Sequence, residues 1–137
     1  MTEINSDKRL HRELMTTRTS DLDDLHHVNN SIYSNFFEQS RRHWLYAIYE
    51  KPQVLSRNFV VLKTLNITFI KELKHPSNIM IDLFVKKIGN SSLSLYQEIR
   101  NADDTQILYT QGESILIWVH PESRQPVTIP DDFRAEI

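Results

Sequence analysis

The feature that most constrains this chain is a single long apolar stripe of helical period. Val28, Ile32, Phe36, Phe37, Trp44, Leu45 and Ile48 recur at spacings of three, four and seven residues. Asn29 and Asn30 stand at the start, where a short side-chain acceptor satisfies free backbone N–H groups. Lys51-Pro52 closes the segment, because the residue before a proline avoids the helical region. A helix of about 20 residues is about 30 Å long. With 137 residues to cover it, it is expected at the centre of a single domain spanning 1–137.

The rest of the chain alternates with period two. Leu10, Leu14 and Thr16 mark a first strand over Leu10–Arg18, ahead of the helix. After the helix, Phe59, Val61, Leu65, Ile67 and Phe69 share one face of a second strand, and Ile79, Ile81, Leu83 and Val85 one face of a third. Leu93, Leu95 and Ile99 mark a fourth; Ile107, Tyr109, Ile115, Ile117 and Val119 mark a long fifth. Short breaks at 75–78, 89–90 and 101–104 suit antiparallel connections and leave no room for crossover helices. The expectation is an α+β domain in which a curved, mostly antiparallel sheet of about five strands wraps one long central helix. Gly112, inside the last strand, marks a bulge or a close approach, or is a tolerated strand glycine.

Composition removes several functions. A net charge of −2 argues against nucleic acid and anionic membranes as partners. No cysteine is present, which excludes disulfides, thiolate metal sites and a cysteine nucleophile. The polar start MTEINSDKRLHRELM lacks the apolar run of a signal peptide, no stretch is long and apolar enough for a membrane helix, and a cytoplasmic location is expected. There is no G-x-S-x-G, P-loop, G-x-G-x-x-G or H-E-x-x-H motif.

What remains is Asp21, Asp23, Asp24, His26 and His27, immediately before the helix. A helix N-terminus presents unpaired N–H groups and partial positive charge, which polarise a carbonyl and stabilise an oxyanion. A neighbouring carboxylate attacks directly or takes a proton from water. That apparatus is weak for amides and sufficient for thioesters, which are more reactive acyl donors. By residue type alone, the commoner reading of such a segment is a polar loop with capping residues. Metal binding is disfavoured, since adjacent His26 and His27 do not readily face one ion and no i,i+4 pair supports them.

The residues from Asp21 to Arg41 resemble, without a gap, the signature D-x-D-x-x-G-H-V-N-N-x-x-Y-x-x-(Y/F)-F-E-x-x-R of hotdog-fold acyl-CoA thioesterases, in the branch related to 4-hydroxybenzoyl-CoA thioesterase. Val85–Leu93 is similar to the family's V-x-x-(I/L)-G-x-(S/T)-S segment, and Ile115–Val119 with Pro126–Pro130 to its last strand and tail. The resemblance implies a hotdog fold, hydrolysis of acyl-CoA to a carboxylic acid and free coenzyme A, no cofactor, and a homodimer or homotetramer with sites at the subunit boundary. It places Asp23 as the catalytic carboxylate and the Asn30 backbone N–H as the group that polarises the thioester carbonyl. His27 and Asn29 match the H-V-N part as orienting or pocket residues; Asp21 shapes the turn or organises Asp23.

Tyr33 and Phe37, with Trp44, are candidates for an acyl pocket, although helix-facing core is the commoner role for such residues. Ser91 and Ser92 are candidates for substrate contact at a strand end, or plain strand hydroxyls. Glu38 and Arg41 stand at i,i+3 and can pair on the helix. Lys63, Lys71, Lys74 and Arg57 suit coenzyme A phosphates, but nothing singles one out. One departure from the pattern stands out: His26 occupies the family's glycine position, where glycine permits backbone angles that histidine resists. That departure motivates a second reading, a non-catalytic module that binds acyl-CoA or an acyl carrier. A hotdog dehydratase is a third, although its Asp/His arrangement is not seen.

Overall fold

The apolar stripe folds as α1, Asn30–Tyr49, in the computed structural model, which describes residues 2–3, 8–57 and 59–137. Of the two asparagines, Asn29 is the cap: its backbone is extended, and its side-chain oxygen accepts the Ser31 N–H at 3.0 Å. Asn30 is then the first helical residue. Tyr33, Phe36, Phe37, Ser40, Arg41, Trp44 and Ile48 form the buried face.

The strands are β1 (Thr2–Glu3), β2 (Arg9–Thr16), β3 (Phe59–Phe69), β4 (Asn78–Ile88), β5 (Ser92–Asn101) and β6 (Leu108–Val119). Every pairing is antiparallel. Both β1 and β2 pair with β4, and the sheet continues through β5 and β6 to β3 at the far edge. The expected sheet is present, with the two-residue β1 added. The first strand runs over Arg9–Thr16 rather than to Arg18, and one further bond of the same register, from the Thr17 N–H to the Ser77 carbonyl at 3.0 Å, follows it.

The sheet closes on α1 through two apolar clusters. Tyr33, Phe36, Phe37, Ile79, Ile81 and Ile99 pack around its N-terminal half. Trp44, Ile48, Leu83, Val85, Leu93 and Leu95 pack around its C-terminal half, with Trp118 and Phe133. The faces read from β4 and β5 hold: Ile79, Ile81, Leu83, Val85, Leu93, Leu95 and Ile99 are all 0% exposed.

Two strands depart from the sequence reading. On β6 the helix-facing side carries Thr110, Gly112, Ser114, Leu116 and Trp118, all buried, while Ile115 and Ile117 are only half-buried. Gly112 gives the reason. A Cβ there would lie 2.9 Å from Phe37 Cε2, so this strand needs small residues where α1 passes closest. The register through Gly112 is regular on both sides, against Ile67 and Gln97, so the close approach explains it and a bulge does not. On β3 a bulge between Leu62 and Thr64 resets the alternation. Val60 joins the core, and Leu62 and Leu65 line the space beside α1, whereas Phe59 was expected on that face.

Arg41 is 5% exposed and bonds across the core rather than to Glu38. It donates to Gln97 Oε1 at 3.1 Å, and Gln97 Nε2 donates to the Phe37 carbonyl at 3.0 Å, tying α1 to β5. Burial pulls the Arg41 guanidinium below its ordinary value. The tail forms a further short helix, α2 (Asp131–Arg134), which the sequence reading missed. It sets the fully buried Phe133 against Trp44 and Trp118, at ring distances of 5.9 and 5.0 Å.

Candidate active site

The segment before α1 is held by directional bonds. Asp21 is 1% exposed; its carboxylate accepts the Arg18 backbone N–H at 2.8 Å and the Arg18 guanidinium at 3.0 and 3.3 Å. Its carbonyl accepts the Asn29 N–H at 2.8 Å, which positions the helix cap. Asp21 therefore shapes the approach to α1.

Between them the chain makes a tight hairpin closed by a bridge from Leu22 to Val28. Asp23 N–H donates to the His27 carbonyl at 2.8 Å, and His26 N–H to the Asp23 carbonyl at 3.0 Å. A turn of this form needs a left-handed residue to rejoin the strand direction. His26 supplies it, with φ of 61°. The residue in the glycine position thus adopts a conformation that glycine favours, at a cost of about 1 kcal/mol for a side chain there.

The turn orients Asp23. Its Oδ1 accepts two backbone N–H groups, from Leu25 at 2.9 Å and His27 at 3.1 Å. Among the described residues nothing is bonded to Oδ2, and the residue is half-exposed. One oxygen is fixed and the other is open. Two residues beyond the bridge, the Asn30 N–H stands at the first position of α1, where no intrahelical acceptor exists. Asn29 stays committed to Ser31, accepting both its N–H and its hydroxyl at 3.0 Å.

His27 reaches away from the turn. Its Nε2 lies 2.8 Å from Glu72 Oε1, and its backbone forms a bridge with Lys74. The sequence reading did not single out Glu72. No local pattern marks it, because the contact joins two loops on either side of α1 and β3 in the chain.

The remaining candidates fall in different places. Tyr33 is 4% exposed, one turn into α1, with its ring edge-on to Phe69 at 4.9 Å. Burial raises its phenol above the ordinary value; the Leu73 backbone opposes that rise and the Glu72 charge adds to it. Phe37 is 0% exposed and lies against Gly112, within the core. Ser91 closes the β4–β5 turn and Ser92 opens β5, and the turn is tied to α2 by Arg134 donating to the Gly89 carbonyl at 2.9 Å. That turn belongs to the Trp118 end of the molecule, where the C-terminal end of α1 packs, so one chain does not bring these serines to Asp23. A groove of about 350 Å³ runs beside α1 toward β3, lined by Ser34, Arg41, Leu45, Val60, Leu62 and Leu65. Among the described residues no cluster of three or more histidine or acidic side chains is arranged to hold a metal ion, and no helix is long and apolar enough to cross a membrane.

Known structures share this architecture. A candidate thioesterase from Pseudomonas aeruginosa superposes with a TM-score of 0.83 at 27% identity, over 93% of this chain and 98% of that one. A candidate acyl-CoA thioesterase from Xanthomonas campestris gives 0.77 at 28%, over 89% and 100%. A thioesterase from Thermus thermophilus, complexed with coenzyme A and zinc, shares the fold with a TM-score of 0.80 at 21% identity, over 94% and 92%. No curated protein matches the chain. The model of the thioesterase-like superfamily matches residues 17–137, and the chain belongs to that family as a thioester hydrolase of the hotdog fold.

Proposed function

We propose that this protein hydrolyses acyl-CoA thioesters, with Asp23 as the reacting carboxylate. The observation that carries this reading is the asymmetry of Asp23: two backbone N–H groups occupy Oδ1, and Oδ2 stands open just ahead of a helix N-terminus. The open oxygen adds to the thioester carbonyl or removes a proton from an adding water. The carbonyl oxygen takes the negative charge against the Asn30 N–H and the α1 dipole. When water adds, collapse breaks the C–S bond and gives the carboxylic acid, and the proton taken up by Asp23 passes to the departing thiolate. When Asp23 adds, collapse gives an acyl–Asp23 anhydride and the thiolate. A water then cleaves the anhydride to the carboxylic acid, restores the Asp23 carboxylate and leaves a proton for the thiolate. The groove beside α1 has apolar walls at Leu45, Val60, Leu62 and Leu65 that suit an acyl group, and Glu38, Arg41 and Arg42 line its helix side. A coenzyme A substrate also favours a cytoplasmic location.

Thiol release from a panel of acyl-CoAs tests the reading. Asp23→Asn is expected to lower kcat by about 10²- to 10⁴-fold while leaving the fold intact. Equal turnover in wild type, Asp23→Asn and Asp23→Ala would remove Asp23 from the mechanism. Tight acyl-CoA binding without turnover would favour the non-catalytic module.

The same reading calls for a second copy of the chain. Among the described residues no strand pairs with the outer edge of β3, and Leu62, Phe69 and Ile70 there are 46%, 50% and 49% exposed. Antiparallel pairing of β3 with its copy sets the Phe59 end of one strand against the Phe69 end of the other. Ser92 pairs with Ile117, and Ile117 with Val61, so the serine turn lies two strands in from the Phe59 end. The partner subunit's Ser91 and Ser92 then approach Asp23, which a single chain leaves apart from them. A monomer by light scattering at micromolar concentration would count against this assembly.

A further inference from the structure

The loop between β3 and β4 is tightly built. Leu73 is 0% exposed and anchors it. Ser77 Oγ donates to the Lys74 carbonyl, and Ser77 N–H to Thr17 Oγ1 at 3.0 Å. Thr17 Oγ1 also meets the His75 ring at 2.7 Å. Lys74 then bridges to His27 along the backbone. Residue 72 is therefore presented by a fixed segment next to fully buried Leu73, and its carboxylate lies 2.8 Å from His27 Nε2. The Tyr33 phenol on α1 also feels the Glu72 charge. The other ionisable residues of the two segments are Arg18, Asp21, Asp23, Asp24 and His26 on and before the turn and Lys71, Lys74 and His75 on the facing loop.

His27 connects this loop to the reacting carboxylate, since its own N–H is one of the two donors to Asp23 Oδ1. We propose that Glu72 is a positioning residue of the site: by holding the His27 ring it keeps the His27 N–H on Oδ1 and leaves Oδ2 free for the thioester. The proposal rests on the thioesterase reading and extends it to a side chain from a separate loop. The two side chains are 48% and 45% exposed, and a pair so open to water contributes little to global stability. Its effect lies in orientation, where a misplacement of about 1 Å costs as much as 10²-fold in rate.

The experiment compares wild type, Glu72→Ala and Glu72→Gln by acyl-CoA hydrolysis and by amide hydrogen exchange. Glu72→Ala is expected to lower kcat about tenfold at unchanged KM, and Glu72→Gln, which keeps an acceptor, to recover part of the loss. The Leu25 and His27 amides are expected to exchange about tenfold faster in Glu72→Ala, with core amides such as Ile81 unaltered. Unchanged kcat, or a lowered kcat with unaltered Leu25 and His27 exchange, overturns the proposal. A wild type that releases no thiol overturns the thioesterase reading instead. The exchange rates then decide by themselves whether Glu72 orders the turn.

Discussion

The two ends of α1 are built on opposite physical principles. At the C-terminal end, Trp44, Ile48, Trp118, Ile129 and Phe133 close around the helix, each 3% exposed or less. At the N-terminal end, Asp24, Leu25, His26 and His27 are exposed, and the turn keeps its shape through bonds to Asp21 and Asp23. Apolar contact is strong and non-directional, so it anchors a helix well but orients no single atom. Hydrogen bonds contribute less to net stability but fix direction. The second kind of end can aim one carboxylate oxygen at solvent, as the Asp23 turn does, while the packing at the first kind anchors the helix.

Substitutions can test that division. The largest effect is expected from Phe133→Ala, which empties the space between Trp44 and Trp118. A loss of about 3–5 kcal/mol in urea unfolding is expected, with turnover per folded molecule retained. A fall in turnover at unchanged stability would erase the contrast between the ends. Gly112→Ala probes the middle of the helix, where the new methyl meets the Phe37 ring at 2.9 Å. Thermal unfolding should show a loss of about 1–3 kcal/mol; a neutral outcome would mean that the two ends alone set the height of α1 over β6. The smallest effect is expected at His26→Gly. Relief of the left-handed backbone, partly offset by a freer unfolded chain, should add about 0.5 kcal/mol with turnover unchanged. A clear drop in turnover would instead give the His26 imidazole a part in the chemistry.

Much of the fold is legible in the order of residues alone. The stripe from Val28 to Ile48 and the alternations of β4 and β5 are local patterns, and each sits against apolar neighbours that reward it. On β6 and in the first half of β3 the same reasoning misses the helix-facing residues, although Tyr109 and Val119 are buried as read and Leu65 and Ile67 keep the expected side. Thr110, Gly112 and Ser114 look outward-facing by polarity, yet they face α1 because little volume remains beneath Phe37. The β3 bulge exchanges faces in the middle of the strand, and no residue type around Leu62–Thr64 announces it.

The candidate site divides in the same way. Asp23, Asn29 and Asn30 are neighbours in the chain, so residue type and spacing mark a carboxylate beside a helix start. The family resemblance raises that reading above the one of a capped polar loop. It does not reveal which asparagine caps, which Asp23 oxygen is free, or that His26 keeps the backbone conformation open to glycine. Those depend on backbone angles and on bonds counted one by one.

By itself, then, the sequence determined one helix at the centre, antiparallel strands around it, and an acidic turn at the helix start, because each depends on periodicity or on residues adjacent along the chain. Only the tertiary structure decided that Glu72 holds His27, that Arg41 is buried against Gln97, and that Ser91 and Ser92 stand apart from Asp23 within one subunit. Each of these is a contact or a separation between residues far apart in the chain, settled by how the sheet curves over α1.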